Sequence, residues 1–450
     1  MKIKFLGGAE SVTGSNYLIT SGETQMLVDC GLFQGTHYSE RNNFEKFNFD
    51  VQKIKAVFVT HAHIDHTGRL PKLYKDGYRG PIYSTAPTRD FAKELLLDSE
   101  DILFREAKRE EVPPLYTKED VDGAMSLWKT INYGETVSVD GIKIAAHDAG
   151  HILGSCSYEV FADGKRVMFS GDLGNVNPPL IKEGELVAPD AEYALIESAY
   201  GDRIHEELGK SREVLEDTIE ETVRDGGVLM IPAFAMERAQ ELLLTIDELV
   251  RNKRIPPTPV FMDSPLAIKL TAVYKWYEDW FNPDVEKLVK KGDPLFNFPG
   301  LKVTLTSEES RAIADVPAPK IIIAGSGMSH GGRIVRHEQL YLSDPKNTIL
   351  FVGYQAEGSL GRKILEGAQT VRIMDQEVAV RCRRVEIGGY SAHADQLRLL
   401  KWLKPAVGSL KKVFVVQGDE DSSKTLAAKI KDELAIEAVV PAPGEEVELV

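Results

Sequence analysis

The sequence predicts an α/β protein of two lobes, one of them a doubly wound parallel sheet. Three observations carry that reading. The chain has 450 residues, three times the roughly 150 of a typical domain. Its first 200 residues read as short strands with Gly-containing turns that give way to mixed strand and helix. From about Gly209 strand and helix alternate strictly, the rhythm of a parallel sheet covered on both faces.

The elements follow in order. Lys2–Leu6, Ser15–Thr20 and Gln25–Asp29 are compact strand-like runs. Ala56–Thr60 is continuously apolar and β-branched, as a strand buried on both faces requires, and it runs straight into His61. Thr88 to about Glu110 has helical spacing, with Phe91, Leu95 and Ile102 opposite many charges. Lys143–Ala146 and Arg166–Phe169 are strands that empty into loops bearing His or Asp. Gly227–Phe234 is a strand, followed by a helix across Ala239–Val250. Val260–Asp263, Ile321–Ala324 and Thr348–Val352 are strands leading into SPLA, GSGMSHGG and GYQAEGSLG. A helix over Gln396–Leu403 and a strand over Val413–Val416 close the chain.

Composition excludes several classes. Hydrophobic residues at 43% and charged residues at 27% are a globular balance, not that of a disordered, collagenous or coiled-coil chain. No run approaches the roughly 18 apolar residues of a membrane helix; Val228–Phe234 is interrupted by Pro232. MKIKFLGGAE does not read as a signal peptide, and three cysteines are unlike a disulfide framework. A cytoplasmic protein is expected, with no membrane partner. The net charge is −15, yet 311–404 holds 14 Lys+Arg against 9 Asp+Glu, a local +5 that leaves −20 elsewhere. A basic segment on an acidic body is compatible with a phosphate-lined groove.

The chemistry concentrates in 61-HAHIDH-66, three imidazoles and a carboxylate in six residues of a chain with ten histidines. Two histidines at i and i+2 of an extended loop point the same way and can clasp one cation. Asp65 and His66, turned the other way, can serve a second. Imidazole with carboxylate suits zinc. His151 in 151-HILGS-155 and Asp172 in 170-SGDLG-174 also sit on loops after strands, and such loops converge at one end of an α/β layer.

These residues resemble the metallo-β-lactamase superfamily, whose HxHxDH motif is matched in full. The resemblance implies that His61, His63 and His151 bind one zinc, that Asp65 and His66 bind a second, and that Asp172 bridges them. Asp29, in 29-DCG-31, looks like the superfamily's first motif acid, implying an outer acceptor for a ligating imidazole. The segments 197-ESAYGDR-203, 231-IPAFAMERAQELL-243, 325-GSGMSHGGR-333, 353-GYQAEGSLGR-362 and 389-GYSAHAD-395 resemble the β-CASP nucleases over nearly the whole chain. The RNA-processing branch fits best, which includes the endonuclease subunit of the cleavage and polyadenylation specificity factor and its prokaryotic relatives. The fold this implies is a metallo-β-lactamase αββα sandwich from 1–207 and 390–450, with an inserted doubly wound β-CASP domain over 208–389. The implied activity is metal-dependent hydrolysis of single-stranded RNA in a cleft between the lobes. Glu197 and His393 match the motif A acid and motif B histidine, which with Asp65 form the expected catalytic set.

Two features qualify the match. The Gly-rich loop with Ser326, Gly327, His330, Gly331 and Arg333, together with Ser391, is a candidate substrate site, since backbone N–H groups before a helix can cradle phosphate. Arg238 and Arg362 are similar phosphate candidates that read more readily as surface ion-pair residues. His147, His205, His330 and His337, with no matched metal role, read as structural or solvated, although His330 sits in the Gly-rich loop. Where the family's motif C histidine is expected, 415-VVQGDE-420 has Gln417, and no histidine follows His393. The second zinc is therefore expected to be the weaker, open to Mn²⁺, with Gln417 either lending its carbonyl oxygen or hydrogen-bonding a ligand. An RNA-binding pseudo-nuclease and a small-molecule hydrolase of the same superfamily stand as rival readings. A second copy of the chain is a candidate homodimer partner.

Overall fold

The computed structural model describes residues 1–35, 40–206, 208–353, 355–356 and 358–450. The expected lobe boundary at Glu207, and Tyr354 and Glu357 of the GYQAEGSLGR motif, lie outside them. The described residues divide into two units, Met1–Ile204 with His393–Val450, and His205–Ala392.

In chain order the strands are β1 (Lys2–Gly7), β2 (Asn16–Ser21), β3 (Thr24–Val28), β4 (Ile54–Phe58), β5 (Ile82–Ser84), β6 (Trp128–Thr130), β7 (Thr136–Val139), β8 (Ile142–Asp148), β9 (Cys156–Ala162), β10 (Lys165–Phe169) and β11 (Tyr193–Glu197). The second unit adds β12 (Val228–Pro232), β13 (Val260–Asp263), β14 (Leu301–Val303), β15 (Lys320–Ala324), β16 (Thr348–Phe351), β17 (Thr370–Ile373), β18 (Gln376–Ala379) and β19 (Arg383–Glu386). β20 (Lys412–Val416), β21 (Glu437–Val439) and β22 (Glu446–Glu448) return to the first unit.

The first unit is the αββα sandwich. Its sheets, among the described residues, run β22-β1-β2-β3-β4-β5-β6 and β21-β20-β11-β10-β9-β8-β7. Alternate residues of facing strands build one core, with Ile3, Phe5, Tyr17 and Phe58 from one sheet and Tyr158, Phe169, Leu195 and Phe414 from the other. Phe5 meets Phe414 at a ring separation of 5.4 Å, and Phe58 meets Tyr158 edge-on at 5.6 Å. β11 is buried at all five residues because β10 and β20 flank it in parallel and helix Gln396–Leu403 covers its far face with Leu399, Leu400 and Leu403. Asp395 caps that helix by accepting the Arg398 amide at 2.9 Å. Helix Ala86–Glu110 starts two residues before the expected Thr88, because Thr85 caps it and Pro87 occupies its first turn. Its expected apolar face holds at Phe91 and Leu95 but not at Ile102, which is 45% exposed. No helix among the described residues is long and apolar enough to cross a membrane.

The second unit is a parallel sheet, β14-β13-β15-β12-β16-β19, with β17 and β18 as a separate antiparallel pair. Asp263, at the end of β13, is wholly buried and binds Thr304 Oγ1 (2.6 Å), Ser310 Oγ (2.7 Å), Arg333 Nη1 (2.8 Å) and His337 Nε2 (2.7 Å). These partners hold its carboxyl well below the usual range against the pull of burial. Glu338, one residue beyond His337, is also wholly buried and accepts a hydrogen bond from Ser329 Oγ. Burial pushes its carboxyl up to about 7 from the ordinary 4.5. Folding therefore takes up a proton between those values, so the contribution is complete below pH 4.5 and is lost as pH rises through 7. Melting followed from pH 4.5 to 8 should show this loss, and Glu338→Gln should flatten it; an unchanged profile in the variant would mean that Glu338 is ionised throughout.

Candidate metal centre

The candidate residues gather at the carboxyl ends of first-unit strands, where parallel strands deliver loops to one place. Asp29 follows β3, the HAHIDH segment follows β4, His151 follows β8, Asp172 follows β10, Glu197 ends β11 and Gln417 follows β20. Two glycines permit the close approach of these loops. A Cβ on Gly31 would lie 1.5 Å from Asp65 O, and one on Gly174 would lie 1.7 Å from Gly150 O. Segment 393–394 is pinned beside Asp172 by a β-bridge between Gly174 and His393 and by the Ala394 amide donating to Leu173 O at 2.7 Å.

Four donors converge. His61, His63, His151 and Asp172 each offer an atom within 4.8 Å of the others. His63 Nδ1 lies 2.9 Å from His61 Nε2 and 3.3 Å from His151 Nε2; Asp172 Oδ2 lies 3.4 Å and 3.6 Å from the same two nitrogens. A tetrahedron of donors roughly 2.0–2.2 Å from one zinc has edges of about 3.3–3.6 Å, so this set fits such a cation. Burial lowers the pKa of His61, and that of His63 to about 4, so both imidazoles keep their lone pairs at neutral pH.

An outer layer orients the donors. Asp29 Oδ1 accepts the Thr60 amide (2.8 Å), while Oδ2 accepts the hydroxyls of Ser15 (3.1 Å) and Thr60 (2.9 Å) and lies 2.7 Å from His66 Nδ1. Thr60 Oγ1 is also 3.1 Å from His61 Nδ1, so its oxygen can accept a hydrogen bond from Nδ1–H and leave Nε2 for a cation. Thr60 and Ser15 were not among the expected residues. Thr60 had a signal in the sequence, standing directly before HAHIDH; Ser15 had none, since only the β1–β2 connection brings it to Asp29.

Glu197 is wholly buried and its Oε1 accepts the Leu173 amide at 2.6 Å. Oε2 is 3.2 Å from His393 Nδ1, and Asp172 Oδ2 is 3.8 Å from the same nitrogen. Burial opposes protonation of His393, but the neighbouring Glu197 carboxylate prevails and its pKa rises to about 9. Asp65, half-buried, places Oδ2 3.9 Å from His66 Nε2. Gln417 is 3% exposed, with its Nε2 2.8 Å from Asp172 Oδ1 and 2.9 Å from His66 Nε2.

The candidate substrate loop belongs to the second unit and is tied largely to itself. The amides of Ser326 and Ser329 donate to Gly331 O and Ser326 O (both 3.2 Å), and His330 N donates to Ser326 Oγ (3.1 Å). Arg333 spends its guanidinium on Asp263, Thr304 O and Leu305 O. Gly327 is buried against the Phe234 ring, which a Cβ there would meet at 2.7 Å, and Ser391 is half-buried. Arg238, expected at the surface, is instead 7% exposed and paired with Glu241 at 2.7 Å, because its helix packs that face inward. Arg362 pairs with Glu366 at 2.7 Å, and His147 lies between Glu159 (3.1 Å) and Glu185 (3.0 Å).

Comparison with known proteins agrees with this architecture. Residues 18–177 match a metallo-beta-lactamase superfamily domain, 239–364 a Beta-Casp domain and 377–441 a Zn-dependent metallo-hydrolase RNA specificity domain. The chain is 38% identical over 422 residues to a ribonuclease of Thermus thermophilus, covering 94% of each chain. It is 32% identical over 447 residues to an RNase J-like protein of Methanocaldococcus jannaschii, covering 98% of each. It is also 32% identical to the transcription termination factor FttA of Methanosarcina mazei, across 97% of this chain and 70% of the relative. A crystal structure of an Enterococcus faecalis protein of unknown function shares the fold, with a TM-score of 0.56 at 11% identity over 100% of this chain and 99% of that one.

Proposed function

Because the chain belongs to the β-CASP family of the metallo-β-lactamase superfamily, we propose that it is a zinc-dependent ribonuclease that hydrolyses phosphodiester bonds of single-stranded RNA. The observation that carries the reading is the four-donor cluster of His61, His63, His151 and Asp172, set beside the His393–Glu197 pair. When bound there, a metal supplies the positive charge that activates water at neutral pH and steadies charge developing at phosphorus. The chain's own residues do the rest. Asp29 and Thr60 hold imidazoles in the tautomers that present nitrogen inward. Glu197 holds His393 through Nδ1, and His393 gives the proton on Nε2 to the departing ribose oxygen. Asp65, on the short helix Ile64–Thr67, completes the proposed catalytic set with its Oδ2 3.9 Å from His66 Nε2.

The RNA assignment rests on the relatives' names and on the RNA specificity domain at 377–441. Ser326, Gly327, His330, Gly331 and Ser391 are the proposed RNA contacts, with Arg333 supporting their loop from behind. The proposed domains are 1–207 with 390–450 for the metallo-β-lactamase part and 208–389 for the β-CASP part. The working protein is proposed to be cytoplasmic and to pair as a homodimer.

Labelled single-stranded RNA should be cut by the purified chain, and a chelator should stop the cutting. Binding should weaken steeply between about 50 and 200 mM salt as counterions are released. Hydrolysis of a β-lactam or thioester, with no RNA binding even at low salt, would overturn the assignment.

A further inference from the structure

We infer that the side-chain amide of Gln417 stands in the place of a second cation, so that this chain works with one tightly held metal where its family resemblance implies two. The inference rests on the metal-dependent reading above and deepens it.

The Asp172 carboxylate is divided between two environments. Oδ2 faces the converging nitrogens of His61 and His151, at 3.4 and 3.6 Å. Oδ1 faces away from them, 3.3 Å from His66 Nε2 and 2.8 Å from Gln417 Nε2. A bridging carboxylate would give Oδ1 to a second metal; here that oxygen already accepts an N–H. The same amide nitrogen lies 2.9 Å from His66 Nε2, the other atom that would have to turn to a second metal. Asp29 reinforces this from the opposite side of the ring. Its Oδ2 takes hydroxyl protons from Ser15 and Thr60 and meets His66 Nδ1 at 2.7 Å, which leaves Nε2 as the inward-facing nitrogen.

The orientation of the amide follows from its neighbours. Turned over, it would set its carbonyl oxygen about 2.8 Å from Asp172 Oδ1, two acceptors with no proton between them. With the NH₂ group inward, a neutral group provides two donors where a metal would have provided positive charge. The backbone holds it there. Gln417 has φ +51°, and its own amide donates to Gly8 O at 2.6 Å. A Cβ on Gly8 would come within 3.2 Å of Gln417 Cγ, so the side chain is packed at its stem as well as bonded at its tip. The donors that the resemblance assigns to a second cation are already engaged, since Asp172 Oδ1 and His66 Nε2 both face the Gln417 amide. Asp65 Oδ2 is 3.9 Å from His66 Nε2, while Gln417 Nε2 stands closer to that nitrogen, at 2.9 Å. The chemical result is an Asp172 carboxylate that ligates through Oδ2 while Gln417 holds Oδ1, so the amide is a positioning residue for the metal that is bound.

The test is a count. The full chain is exposed to excess Zn²⁺, dialysed exhaustively and analysed for zinc by elemental mass spectrometry, with affinities from competition against a chromophoric chelator. The parent should hold one zinc per chain, and Gln417→His should hold two, its second affinity at least tenfold above any second binding by the parent. His63→Ala should hold none tightly. Two equally tight zincs in the parent would overturn the inference while leaving the metal-dependent reading intact. No zinc in the parent, with His63→Ala indistinguishable from it, would overturn both. The parent count needs no variant, so it decides the matter even if Gln417→His fails to fold.

Discussion

His63→Ala should leave a folded protein that retains less than a tenth of its zinc after dialysis and cuts single-stranded RNA at background rate. His63 Nδ1 is the shared corner of the donor set, the atom within 2.9 Å of His61 Nε2 and 3.3 Å of His151 Nε2. Removing it leaves three donors whose geometry no longer encloses a cation. The loss should exceed the 10–100-fold in affinity that follows from deleting an outer-layer partner such as Asp29. Zinc content and cleavage rate should fall together, and added Zn²⁺ should restore little of either. Undiminished cleavage by metal-free His63→Ala protein would mean that the activity resides elsewhere in the molecule.

His393→Ala should behave in the opposite way on one axis, retaining the parent's zinc while slowing cleavage by roughly 10²–10⁴-fold, the usual contribution of a positioned acid. The imidazole is held by Glu197 Oε2 at 3.2 Å and contacts Asp172 only at 3.8 Å, so its loss spares the first donor set. Its pH signature follows from the carboxylate beside it. With the pKa raised to about 9, the protonated form is the one present at neutral pH, and the parent's rate should decline as pH rises through that region. The variant should lack that decline. Glu197→Gln should shift it to lower pH, because a neutral amide no longer favours the imidazolium. Equal rates for parent and His393→Ala across the pH range would remove His393 from the reaction.

Much of this was written in local sequence. A β-branched apolar run such as 56–60 buries itself between parallel neighbours, and His61 and His63 follow it at i and i+2, so β4 and that pair were legible before any fold was known. Asp65 and His66, by contrast, take their places from the short helix Ile64–Thr67. The same holds for the alternation from Gly209 onward and for Asp263 at the end of β13. Strands of three residues, β5, β6, β14, β21 and β22, carry too little periodicity to be read. Ile102 looks like part of an apolar stripe because periodicity states which face a residue shares, not how far along the helix the neighbouring layer extends. Arg238 shows the reverse, a charge that burial tolerates because Glu241 is one turn away.

What sequence determined on its own was the inventory: which ligand types exist, that three of them sit in six residues, and that position 417 has an amide. Which atoms face one another was decided only by tertiary structure. Asp29 and His66 are 37 residues apart, His66 and Gln417 are 351 apart, and Glu197 and His393 are 196 apart. No local rule relates such pairs. They meet because β3, β4, β10, β11 and β20 end at one edge of two packed sheets, and because Gly31 and Gly174 let the loops there touch backbone to backbone. The choice between oxygen and nitrogen at Gln417 is of the same kind. It depends on the acceptors that distant segments of the chain bring to it.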